Sequence, residues 1–264
     1  MNEHTWLVSP IPISVLLLLA ITGMYLLSYY YRSHPILSML SIAMNYLPVL
    51  THEFGHVLFN RLSGGRVVDF VVVMTRRERQ ATGQQGYAVT QSKSRIGQIF
   101  TTIGGYIMPP LMLSIGLIMQ SKGQGVIFIL LYIGIFLYFT IVTSRKVAPI
   151  IIIVLLCGII YLGLQSENLQ NYSLIYMLVY HWLLGTLFGE VIQSSITIAQ
   201  LTFARPQPSW DGTALRDLTH VPTIVFSALW ILLNGTSVYY LCQQLFLEPS
   251  TRPILSLLPL LPFT

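Results

Sequence analysis

The chain has 264 residues, of which 54% are hydrophobic and only 9% charged, and its formal net charge is +5. A charged fraction this far below the ~25% of soluble domains excludes a water-soluble globular enzyme. The basic residues are not interleaved with aromatics, which excludes a nucleic-acid surface, and Cys157 and Cys242 form neither a disulfide frame nor a Cys-x-x-Cys metal motif.

Several runs reach the ~20 apolar residues needed to cross a bilayer. The reading is an all-α polytopic membrane protein of about seven transmembrane helices, forming one domain over 1–264. Residues 1–10 are a short polar tail. The first span, about 11–31, lacks a basic leader and a small-residue cleavage site, so it is read as retained. It ends in Tyr29-Tyr30-Tyr31, residues that favour a membrane interface. The second span, about 35–62, contains Pro48, which predicts a kink. Gly64-Gly65 then breaks the helix. The β-branched run Arg66–Met74 can pair with Gly86–Gln91 across the polar stretch Arg76–Gln85, which predicts a small β-hairpin or sheet over about 66–91 at the membrane surface.

The third span, about 96–119, is interrupted by Gly104-Gly105 and Pro109-Pro110, breaks that are tolerated where protein or a cavity covers the backbone. Spans of about 126–143 and 147–164 are almost uniformly apolar and read as scaffold. The sixth, about 173–201, carries His181, Gly185, Gly189 and Glu190; its glycine pair permits close helix packing. A loop over 202–210 leads to Asp211-Gly212, a short helix to His220 and a last span of about 222–245. The apolar tail Pro253–Thr264 is too short to cross and is expected at the interface. With seven alternating spans and the N-terminus cytoplasmic, eleven Lys/Arg fall on the cytoplasmic side, and only Arg32, Lys122 and Arg252 fall outside. The positive-inside bias therefore favours N-in, C-out.

The second span holds His52-Glu53-Phe54-Gly55-His56. Positions i and i+4 share a helix face, so His52 and His56 can offer two imidazole nitrogens to one metal ion. Glu53, one residue along, is placed to act on a water beside it as general base. Ionisable groups at membrane depth default to a functional explanation over core packing. Catalytic zinc usually keeps three protein ligands and one open position. Parity of the spans brings the 202–221 loop to the same side as the motif. There Asp211, held by Pro206 and Pro208 and followed by Gly212, is either the third ligand or the N-cap of the next helix. Glu190, a lone acid in a span, is the rival third ligand. Asp217 and His220 are weaker candidates, and His181 reads as a hydrogen-bonded histidine.

His52-Glu53-Phe54-Gly55-His56, together with Pro206-x-Pro208-x-x-Asp211-Gly212 before a late span, resembles the site-2 protease family of intramembrane zinc metalloproteases. Gly64-Gly65 with its adjoining strands, Gly104-Gly105-Tyr106 and the stretch Asp211–Pro222 are similar to its compact bacterial branch without PDZ or CBS domains. The resemblance covers about residues 35–245. The chain departs from the family pattern at Ala204-Arg205, where the family has Asn, and at Trp210, where it has Leu. The resemblance implies one zinc ion per chain, held by His52, His56 and Asp211. It implies Glu53 as the catalytic base, a transmembrane protein as substrate and a bacterial cell membrane as location. On this reading Glu53 relays a proton from water to the leaving amine, with the 66–91 strands capturing the unwound substrate by β-addition. Arg76, Arg77 and Arg79 could hold that region to anionic lipid in the bilayer. Two other classes stay open: a catalytically silent relative that binds membrane proteins, and a metal- or proton-linked transporter. Nothing in the sequence fixes an oligomeric state.

Overall fold

In the computed structural model, residues 11–165 and 169–247 are described; the expected polar N-terminal and apolar C-terminal tails lie outside them. A capping side chain or a proline sets the start of several of the helices. Ser14 accepts from the Leu17 N–H and opens α1 (Val15–Tyr30). Pro35, preset for the first helical turn, opens α2 (Pro35–Leu62). Ser94 accepts from the Gly97 N–H at 3.0 Å and opens α4 (Arg95–Ser121). Then follow α5 (Gly125–Val142), α6 (Val147–Gln165), α7 (Leu169–Phe203), the short α8 (Asp211–Thr219) and α9 (Thr223–Leu247).

Between α2 and α4 the expected strands form. β1 (Arg66–Val72) pairs antiparallel with β2 (Gly86–Gln91), Arg66 opposite Gln91 and Val72 opposite Gly86, with a bulge between Val67 and Asp69. The polar stretch between them, read as a connection, is a helix, α3 (Arg76–Thr82). Thr75 accepts from the Glu78 N–H at its start, and Gly83 closes it at φ 70°. The α5–α6 turn is tied to this region. Arg145 donates two hydrogen bonds to Glu78 at 2.5 and 2.6 Å, and Ser144 donates from its N–H and hydroxyl to Asp69. The Arg145 bonds hold the Glu78 carboxyl below its ordinary pKa.

Among the described residues four helices, α4, α5, α7 and α9, are long and apolar enough to cross a membrane; α1 and α6 are shorter apolar helices. The motif helix α2 has 28 residues but is not among the four. Its polar buried residues, including Asn45, Thr51, Glu53 and Asn60, explain why. The expected alternation of seven spans does not hold. α1 and α7 run side by side in the same direction: Ser14 lies by His181, Thr22 bonds the Gly185 carbonyl, and Tyr25 bonds Glu190. A first and a sixth alternating span would be antiparallel. The cause is α2, whose two ends lie on one side. Its start is joined to α3 by the Arg76–Ser33 bond, and its end meets the start of α4, where Asn60 bonds Thr101.

The expected interruption of α4 is also absent. It stays helical through Gly104-Gly105 and Pro109-Pro110. The glycines serve contact instead. A Cβ on Gly104 would sit 2.6 Å from the Gly55 carbonyl oxygen and 2.9 Å from the Phe59 ring, and one on Gly55 would strike the Gly104 backbone. α2 and α4 therefore pack backbone to backbone, as small residues allow. The expected glycine pair of α7 acts likewise: added Cβ atoms on Gly185 and Gly189 would meet Ile21 and Tyr25 of α1.

Candidate metal centre

The close approach of α2 to α4 sets the position of the two histidines. Both rings lie against Gly105. A Cβ there would be 2.7 Å from His52 Nε2 and closer still to His56 Nε2. On the far side of the rings is the start of α8. Trp210, its N-cap, donates its N–H to the Thr213 hydroxyl at 2.9 Å, so Asp211 is the first helical residue rather than the cap. Its carboxylate is thereby free for the histidines. The preceding loop contains the Arg205–Pro206 cis peptide. Trp210 packs edge-on to Tyr106, and both rings meet the buried Trp230 of α9, which locks the loop to α4.

His52 Nε2 and His56 Nε2 are 3.2 Å apart, and Asp211 Oδ2 is 3.5 and 3.4 Å from them. His56 Nδ1 lies 2.8 Å from the Thr101 carbonyl oxygen. A carbonyl only accepts, so Nδ1 carries the proton and Nε2 presents a lone pair to the other two atoms. Three electron-rich atoms converging in this way are mutually repulsive unless a cation sits among them. Their spacing fits one. Ligands at ~2.0–2.1 Å around a tetrahedral zinc are separated by about 3.3–3.4 Å. Among the described residues, His52, His56 and Asp211 form the one group of His, Cys, Asp or Glu with this capacity.

Glu53, 8% exposed, lies outside the ligand group and lines an adjoining cleft of about 200 Å³ together with His52. Gly86 of β2 forms one wall: a Cβ there would lie 3.1 Å from Glu53 Cγ. Tyr29, Gln85, Tyr106, Glu190 and Gln193 also line it. Glu190 is therefore near the centre but outside the ligand group; it accepts a short hydrogen bond from Tyr25, which also donates to Asn45 Oδ1 at 2.8 Å in an alternative arrangement of its one proton. The other candidates lie elsewhere. His181 accepts from the Ser14 N–H at 2.7 Å and faces the Met177 carbonyl. Asp217 pairs with Arg216 at 3.0 Å, and His220 caps α8 at φ 63° beside Arg95.

Thr101 and Tyr25 were not anticipated. The first acts through a backbone oxygen, which leaves no mark in the sequence. The second was readable only as one tyrosine among several near a membrane interface. Gly105→Val is expected to push the imidazoles off their positions and lower zinc occupancy at least about tenfold, on the scale of losing a supporting partner. Zinc content per chain, with a circular-dichroism melt to confirm folding, measures this; full occupancy in a folded variant would show that the close contact is dispensable.

A family model described as Peptidase M50B-like matches residues 6–241 of the chain. Comparison with curated proteins and with solved structures gave no significant match.

Proposed function

The chain belongs to the Peptidase M50B-like family, and from that premise we propose that it is a zinc-dependent endopeptidase cleaving a transmembrane segment of another protein near the cytoplasmic face. The observation that carries this reading is the triangle of His52 Nε2, His56 Nε2 and Asp211 Oδ2, with edges of 3.2–3.5 Å, opening on a cleft that holds a carboxylate. A transporter reading accounts for buried acids but not for a glutamate set between two converging imidazoles.

His52, His56 and Asp211 would hold the ion. When bound, zinc supplies a Lewis acid that eases deprotonation of water and polarises a carbonyl. The chain's own groups do the rest. Glu53 takes a proton from the attacking water and delivers it to the leaving amine as the peptide bond breaks. The Thr101 carbonyl keeps the His56 ring in one tautomer. Gln85 and Gln193 offer amide groups to a substrate backbone that has left its helix. Among the described residues β2 has a strand on one edge only, and in this proposal an extended substrate segment pairs with the other.

The cytoplasmic assignment rests on charge. All described lysines and arginines except Lys122 lie on the side where α4 begins and α7 ends. The start of α1 lies by the α4–α5 turn, where Gln120 donates to the Ile11 carbonyl at 3.1 Å. That end of α1 is therefore external in this proposal, as is the end of α9, which runs with α4 from Tyr106–Trp230 to Leu117–Gln244. The N-cytoplasmic expectation depended on an alternation that α1 and α7 do not keep.

The purified full chain is expected to carry about one zinc, to lose cleavage of a single-span membrane substrate on chelation and to regain it with added zinc. Undiminished cleavage by zinc-free protein would overturn the proposal.

A further inference from the structure

A second polar cavity, of about 370 Å³, lies apart from the metal centre between the α1–α2 turn and α3. Arg32 lines it from the turn, and Arg76 and Arg79 from α3; serines of the turn and α2 and the glutamines Gln80, Gln84 and Gln85 make up the rest of the polar lining, and no aspartate or glutamate faces it. The sequence explains the convergence. Thr75 and Gly83 fix the two ends of α3, and residues three apart share a helix face, so Arg76 and Arg79 point the same way. The one acid of α3, Glu78, is turned outward to Arg145.

The cations are not neutralised by the protein. Among the described residues none of the three arginines is in an ion pair. Arg76 donates to the Ser33 carbonyl at 3.2 Å and Arg79 Nε to the Val73 carbonyl at 3.1 Å, while Arg32 sits over the Tyr29 ring at 4.4 Å. Arg79 Nη2 is inaccessible to solvent yet has no acceptor. Such a donor left without a partner is costly, and guanidinium groups are suited to a tetrahedral oxyanion with several acceptor oxygens. The flanking elements point to its source: at the end of α1 and the start of α2, Tyr30, Ile36 and Met39 are 78%, 73% and 73% exposed, apolar surface suited to acyl chains rather than to water.

We propose that this cavity binds the phosphate group of an anionic phospholipid, fixing the α1–α2 turn and α3 at the membrane surface. The shared chemistry is a phosphate oxyanion, and free phosphate is the other possible source.

The test uses the full chain in nanodiscs of phosphatidylcholine with a minor share of phosphatidylglycerol. Phosphatidylglycerol retained after exchange into neutral detergent is counted by native mass spectrometry. The wild type is expected to retain it, and Arg79→Gln and Arg32→Gln are each expected to weaken retention about tenfold, the effect of losing one charge-assisted hydrogen bond. Arg32 is exposed in a turn, so its variant keeps the test valid where Arg79→Gln fails to fold. Arg77→Gln, on α3 but outside the cavity, should retain lipid as the wild type does. Displacement by inorganic phosphate, with phosphate binding lost in the same two variants, would keep the site but make free phosphate its ligand. Equal retention in the wild type and both variants, or an equal loss in Arg77→Gln, would overturn the proposal.

Discussion

Glu53→Gln is expected to keep about one zinc per chain and to lower the cleavage rate about 10²–10⁴-fold, the range for a removed general base. Glutamine matches glutamate in shape, so the packing against Gly86 persists and α2 keeps its place on β2. The lost property is the ability to accept and return a proton. Metal content separates this from collapse of the centre, because Glu53 is outside the triangle of His52, His56 and Asp211. Cleavage at the wild-type rate would remove Glu53 as the base; loss of zinc with activity would make its role structural.

Asp211→Ala and Glu190→Gln form the second decisive pair. Asp211 Oδ2 is 3.4–3.5 Å from both imidazole nitrogens, whereas Glu190 is engaged with Tyr25. Removing Asp211 leaves two protein ligands where catalytic zinc sites keep three. Zinc affinity should fall at least about 10²-fold, beyond the 10–100-fold that follows loss of an outer-shell partner. Glu190→Gln keeps a group that can hydrogen-bond Tyr25 and should leave occupancy unchanged. Dialysis against graded zinc buffers measures both. Full occupancy in Asp211→Ala with loss in Glu190→Gln would transfer the third ligand to Glu190.

What the sequence disclosed follows from range. His52 and His56 are one helical turn apart, so local periodicity alone sets them side by side. The strands were readable from β-branched runs bounded by Gly64-Gly65 and Gly86, and the two runs paired as expected. α3 was hidden in a charged stretch, although Thr75, Glu78 and Gly83 carried its start and stop signals. Asp211 is 155 residues beyond His56 (211 − 56), and residue chemistry left it between ligand and cap; the family resemblance favoured the ligand. The glycines and prolines of α4 were read as breaks because composition does not distinguish a flexible point from a place where another backbone must come close. The path of α2 was misjudged for a related reason. Length suggested a crossing, while its polar residues show that it is enclosed by other elements rather than by lipid.

The drawing of the triangle from two distant parts of the chain has a consequence for biosynthesis. The histidine pair leaves the ribosome long before the aspartate. Until α7 and α8 have been made and docked on α4, the two imidazoles lack the Asp211 carboxylate that completes the triangle. On the proposed function, the nascent protein therefore enters the membrane before its cutting centre is assembled. Completion of the fold is then its own arming step, and a chain truncated before Asp211 should be as harmless to its neighbours as one that lacks the histidines.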